Sequence, residues 1–128
     1  VGEKILIVDD DDSIVKLAVH ILESEGYEIF SASNGLQALK KVEAENPDLI
    51  ILDIMLPGID GFDLCERLRA GLGTSFIPIL ILSSKGREED KRVATQNGAG
   101  AYLTKPIDAS DLIDKVGELL SLRPTVSQ

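Results

Sequence analysis

Short unbroken apolar runs alternate along the chain with segments whose apolar residues return at helical spacing. KILIVD (4–9) is apolar throughout its middle, the mark of a strand covered on both faces. Ile14, Leu17, Ala18, Ile21 and Leu22 then line one side of a helix, and Gly26 stands where a C′ glycine would close it. YEIFSAS (27–33) alternates as a strand. NGLQALKKVEAEN (34–46) predicts a helix with Leu36, Leu39 and Val42 inward, stopped before Pro47. The cycle repeats with strand DLIILD (48–53), turn MLPGID (55–60), helix GFDLCERLRA (61–70) and strand IPILILS (77–83). A polar helix REEDKRVATQNG (87–98), a short strand AYLT (101–104) and a last helix DASDLIDKVGELLSL (108–122) complete the pattern. In that last helix Asp108 is the predicted N-cap, with Leu112, Ile113, Val116, Leu119 and Leu120 inward.

Five strands alternating with five helices predict an α/β fold, a parallel sheet with helices on both faces. Right-handed crossovers point every strand the same way, so all carboxyl ends open on one rim. Ligands bind that rim where the strand order changes direction. The residues that follow the strands there are Asp9 and Asp10, Asp53, Ser83 and Ser84, and Lys105 with Pro106. A flavodoxin-like (βα)5 sandwich of strand order 2-1-3-4-5 would make the first and third strands neighbours and bring three carboxylates together.

Composition narrows the setting. The 128 residues are 44% apolar, 27% charged and 4% aromatic, which is ordinary for one globular domain. Residues 1–122 are assigned to that domain and 123–128 to a tail or the start of a linker. A net charge of −9 disfavours direct binding to nucleic acid or to anionic membranes by repulsion. The single cysteine, Cys65, falls in a helical pattern and reads as a core residue. A reducing, cytoplasmic location is expected. No apolar run is long enough to span a bilayer. The chain opens on Val1, as a processed or excised segment would.

Three converging carboxylates need a counter-charge. Two unit charges about 5 Å apart repel by roughly 3 kcal/mol at an effective dielectric of 20. The available relievers are a divalent cation and the Lys105 ammonium. An all-oxygen, partly hydrated site suits a hard ion, Mg²⁺ first and Mn²⁺ in its place. His20 and Cys65 are the chain's sole histidine and cysteine, and His20 lies off its helix's apolar stripe, so zinc is not expected. Ser83 and Lys105 beside a metal-bound carboxylate would cradle a phosphoryl group. Asp53 could then attack phosphorus and form an acyl phosphate, with the Ser83 hydroxyl and the aromatic Tyr102 repositioning in response. Asp11 and Asp12 read differently, as an N-cap and a first-turn acid. Gly58 and Gly61 read as backbone-turn devices.

The segments ILIVDDDDSI, PDLIILDIMLPGIDGFDLCERLR, IPILILSSKG and GAGAYLTKPID together resemble the response-regulator receiver domains of two-component signalling. The likeness runs from Lys4 to about Leu122 and extends to single receiver domains of the chemotaxis and sporulation type. It implies that Asp53 is the phosphoacceptor, Asp10 a direct Mg²⁺ ligand, and Asp9 a ligand mainly through water. It also implies that the Met55 backbone carbonyl completes coordination. Ser83 and Lys105 would hold the phosphoryl group, Lys105 across a cis bond to Pro106, and Tyr102 would be the aromatic switch.

The same resemblance names a sensor histidine kinase or histidine phosphotransfer protein as phosphodonor. A downstream output domain or protein would be the recipient of the signal. Such a domain catalyses only its own phosphorylation and slow hydrolysis and is not otherwise an enzyme. Its switch surface would be the fourth helix, the last strand and the last helix. Met55 and Lys85 occupy positions that tune dephosphorylation in this family, and an apolar Met55 cannot orient water, so slow autodephosphorylation is expected. A phosphorylation-dependent dimer is left open, although GAGAYLTKPID lacks the acidic pair of many winged-helix regulators.

Two other functions share parts of the pattern. A haloacid-dehalogenase-type phosphatase also uses Mg²⁺ and an aspartate nucleophile, but needs a second aspartate where Met55 stands. A flavodoxin-type FMN carrier needs a phosphate loop after the first strand, where this chain places four acids. An EF-hand is excluded because DDDDS lacks the spaced acids, glycine and distal glutamate.

Overall fold

The computed structural model describes residues 2–122. Its elements are β1 (Lys4–Val8), α1 (Asp12–Glu23), β2 (Glu28–Ala32), α2 (Gly35–Glu45) and β3 (Leu49–Leu52), followed by α3 (Gly61–Ala70), β4 (Ile79–Ser83), α4 (Glu88–Gln96), β5 (Ala101–Thr104) and α5 (Ala109–Leu122). All five strands are parallel, in the order β2-β1-β3-β4-β5. This is the flavodoxin-like (βα)5 sandwich expected from the alternation. The tail assigned to 123–128 lies outside the described residues.

The central strands are apolar at nearly every position because each face meets a helical layer. Leu6, Val8, Ile50, Leu52, Ile79 and Ile81 point to one side, where they pack with Ala38 and Val42 of α2 and with Leu64, Cys65 and Leu68 of α3. Ile5, Ile7, Leu49, Ile51, Leu80 and Leu82 point to the other, against Ala18 and Leu22 of α1 and Leu112 and Val116 of α5. Each fully buried side chain of this kind gains about 1.5–3 kcal/mol over exposure. That gain outweighs any single surface ion pair.

Helix ends follow local chemistry. Asp11 caps α1, its carboxylate accepting from the Ser13 amide, while Asn34 and Asp60 cap α2 and α3 in the same way. Asp108 accepts from the Asp111 amide at the start of α5. Beyond α1 the Tyr27 amide reaches back to Leu22 and the Gly26 amide to Glu23, with Gly26 at φ 92°, which completes the expected glycine stop.

Two predicted inward residues are in fact exposed, Leu17 at 44% and Leu36 at 59%. α1 rests on Ala18, Ile21 and Leu22, and α2 on Gly35, Ala38 and Val42, so each buried arc is narrower than the apolar stripe. A covering helix needs only the arc that touches the sheet, and the neighbouring leucine is left in solvent.

Candidate functional site

Register builds the site. Val8 pairs with Leu52 across β1 and β3, so Asp9 and Asp53 leave the sheet side by side. Their amides remain anchored in it, Asp9 donating to Ala32 and Asp53 to Val8. Ser83 pairs with Thr104 across β4 and β5, and Lys105 comes one residue later, its amide donating to the Ser83 carbonyl. The Lys105–Pro106 bond is cis.

The side chains converge on this rim. Oxygens of Asp9, Asp10 and Asp53 lie within 4.8 Å of one another. Asp9 and Asp53 are buried, at 3% and 7% exposure, whereas Asp10 is open to solvent. Lys105 Nζ lies 2.8 Å from Asp9 Oδ2 and 3.0 Å from Asp53 Oδ2, bridging the two. The other oxygens take backbone donors, Asp9 Oδ1 from the Asp11 amide at 3.0 Å and Asp53 Oδ1 from the Met55 amide at 2.9 Å. Among the described residues no buried side-chain polar atom is left without a hydrogen bond.

Electrostatically the cluster is under-compensated. Burial pushes the Asp9 carboxyl above its ordinary range, and the Lys105 hydrogen bond only partly opposes this. For Lys105 burial acts to lower the value, but its bonds to Asp9 and Asp53 prevail and hold the ammonium above its ordinary range. Three carboxylates against one ammonium leave a formal charge of −2, and a hard divalent cation on all-oxygen donors matches both charge and chemistry.

The remaining predicted residues surround this cluster. Ser83 is fully buried, and its Oγ accepts from the Lys85 amide at 3.3 Å. Tyr102 is half-buried against the core, its hydroxyl donating to the Lys85 carbonyl. Burial raises the Tyr102 phenol, with a hydrogen bond to Ser83 opposing. Met55 reaches the cluster through its amide, while the residue as a whole is 52% exposed. His20 is exposed and Cys65 fully buried, its thiol pushed up to about 11 by desolvation, so neither takes part.

Two contributors were not visible in the sequence pattern. The Met55 amide is one, since a backbone donor leaves no mark in residue type. The other is Gly61, read as a turn device. A Cβ there would lie 2.3 Å from Ile54 Cα and 2.7 Å from the Asp53 carbonyl oxygen, so only glycine lets α3 abut the Asp53–Ile54 backbone. Its amide donates to Ile54 at 3.0 Å. The glycine after the Asp60 N-cap was the one available sign.

Residues 5–117 match the model of the response regulator receiver domain. The chain belongs to that family. Receiver domains are signalling switches of two-component systems and are not generally classed as enzymes. The chain is 44% identical over 119 residues to the alkaline phosphatase synthesis transcriptional regulatory protein PhoP of Bacillus subtilis, covering 93% of this chain and 49% of that protein. It thus spans about half the length of the curated relatives it matches.

Among solved structures, a putative response regulator from Chloroflexus aurantiacus superposes with a TM-score of 0.91 at 37% identity, covering 94% of this chain and 99% of that one. The receiver domain of the sensor histidine kinase PA1611 from Pseudomonas aeruginosa, solved with a magnesium ion in its active site cleft, superposes at 0.87 and 27% identity, covering 94% and 99%.

Proposed function

We propose that this receiver domain is a phosphorylation-dependent switch in which Asp53 accepts a phosphoryl group. The observation that carries the reading is one Lys105 ammonium shared between buried Asp9 and Asp53, with a third carboxylate, Asp10, alongside. The donor set fits Mg²⁺, with Mn²⁺ as a substitute, and Asp9, Asp10, Asp53 and the Met55 carbonyl would hold it. Held there, such an ion would supply neutralisation of charge on the phosphoryl oxygens.

The protein's own groups do the rest. The Met55 amide and Lys105 fix the Asp53 carboxylate, so one oxygen is presented to an incoming phosphorus without a search over rotamers. Lys105 follows the negative charge from carboxylate to phosphoryl group. Ser83 and Tyr102 already meet at the Lys85 segment, so a new acceptor at Ser83 biases where Tyr102 and α4 sit.

The donor is a phosphohistidine on a sensor kinase or a histidine phosphotransfer protein, and the recipient is an output domain or separate protein, with a phosphorylation-dependent dimer one form of output. Residues 1–122 make up the switch, which acts in the cytoplasm and catalyses only its own phosphorylation and slow hydrolysis. With a net charge of −9 it does not itself contact nucleic acid. No helix among the described residues is long and apolar enough to cross a membrane. The phosphatase and FMN-carrier readings draw no support, since Met55 and not an acid stands two residues after Asp53 and four acids follow β1.

The test is labelling by acetyl phosphate with Mg²⁺. One base- and hydroxylamine-labile phosphoryl group per chain is expected, abolished by chelator and by Asp53→Asn. Equal, Mg²⁺-dependent labelling of Asp53→Asn would overturn the assignment.

A further inference from the structure

α4 is held very differently at its two ends. At its start the N-cap position, Arg87, makes no side-chain capping bond, and Ser84 to Glu89 are exposed. Asp90 turns inward, but its ion pair, 3.2 Å to Arg87 Nε, lies within the same segment and would travel with it. At its finish the helix first closes on itself, the Gly98 amide donating to Thr95 and Ala99 to Ala94, and the Gly100 amide then ties the chain to Ile79 of β4.

The outermost tie comes from another helix. Arg69, at the end of α3, donates from Nε to the Gly98 carbonyl at 2.9 Å and from Nη1 to the carbonyls of Ser75 at 2.9 Å and Ile77 at 2.7 Å. Among the described residues no acidic side chain pairs with it. Gly98 has φ 96°, and a Cβ there would sit 2.5 Å from Arg69 Cγ. The guanidinium therefore lies against the turn itself, at the carbonyl ends of both α3 and α4, where a cation is favoured by the helix dipoles. Its planar fork reaches three carbonyls in a way a lysine cannot.

We infer that Arg69 is a positioning residue that makes the α4–β5 turn a fixed pivot, so that the switch proposed above acts by swinging the start of α4 about a stapled finish. This rests on the phosphoacceptor reading for the input and on the Arg69 geometry for the mechanics. A helix free at both ends would slide or melt. One stapled at its far end converts a local change at Ser83 and Lys85 into a directed tilt.

Amide hydrogen exchange of the 128-residue chain tests this, with trifluoroberyllate and Mg²⁺ as the phosphoryl mimic. In the parent protein, loading should change exchange at residues 84–92 and leave the Gly98, Ala99 and Gly100 amides as they were. Arg69→Met should speed those three amides about tenfold before any loading, the effect expected for losing charge-assisted hydrogen bonds. On loading, the response should then spread through 97–100, while acetyl phosphate labelling is retained.

Gly98→Ala should loosen the same amides, and less so in an Arg69→Ala background where the colliding side chain is gone. Parent-like exchange at 98–100 in Arg69→Met, or a loading response in the parent as large at 98–100 as at 84–92, would overturn the pivot. The unloaded comparison needs no phosphoryl chemistry. A failure of the staple is thereby told apart from a failure of Asp53 to accept the mimic, which would show as an unresponsive parent and would remove the pivot's role.

Discussion

At the carboxyl rim of the sheet, two buried carboxylates share one ammonium and a third carboxylate stands beside them. At the opposite rim a half-buried guanidinium, Arg69, is spread over three backbone carbonyls and is sated by them. Both ends bury charge, but only one meets its hydrogen-bonding demand within the chain. The amino-end arrangement answers the guanidinium's donors with three backbone carbonyls that would otherwise need water, so it is a structural joint, although burial still holds the guanidinium below its ordinary range. The carboxyl-end arrangement leaves excess negative charge in a partly dry site, which is a standing demand for an external cation. The proposed function sits where compensation is incomplete.

The contrast can be broken at either end. The largest effect is expected for Asp53→Asn, which should abolish labelling by acetyl phosphate with the circular dichroism spectrum unchanged; residual labelling at parental levels would contradict the site. Next, Gly61→Ala forces a Cβ into the Asp53–Ile54 backbone and should cost about 1–3 kcal/mol in urea unfolding. It should also slow labelling by more than the lost folded fraction explains, and a purely proportional loss would show that Gly61 only supports the fold.

A third change should stabilise. Asp9→Asn removes a buried charge, so the metal-free protein should melt a few degrees higher at neutral pH while its Mg²⁺ affinity falls. The sign follows from linkage. A carboxyl whose folded value is raised contributes stability below its unfolded value near 3.8, and that contribution is lost as pH rises through the folded value. Metal-free stability in Asp9→Asn should therefore decline less between acid and neutral pH than in the parent. An unchanged slope in thermal melts would count against the buried charge as its cause. Lys105, also raised, gives its contribution below about its ordinary 10.5 and loses it only in strong alkali, outside that window.

Smallest is Asp11→Ala, which deletes a cap and should lower the melting temperature only slightly with Mg²⁺ affinity intact. A loss of Mg²⁺ binding there would mean that the division within the DDDD run is drawn in the wrong place. Met55 sharpens the same rim from the kinetic side. A phosphorylated lifetime of seconds, followed by loss of label after quenching, would contradict the slow hydrolysis expected from its apolar side chain.

The sequence by itself determined the alternation of elements, the parallel sheet, and the candidate residues, because periodicity, capping and strand-end acids are local signals. Asp11 and Asp108 cap their helices as read, and Gly26 closes α1. What only the tertiary structure decided depends on contacts between distant segments. Leu17 and Leu36 fit the helical stripe, yet the sheet accepts a narrower arc and leaves them in solvent. That Lys105 bridges both buried aspartates follows from two strand registers acting together, Val8 with Leu52 and Ser83 with Thr104. In residue type Arg69 is no different from Arg67, the other basic residue in the last turn of α3. Its role appears only when folding brings the carbonyls of Ser75, Ile77 and Gly98 within reach of one side chain, because backbone acceptors carry no signature in residue type.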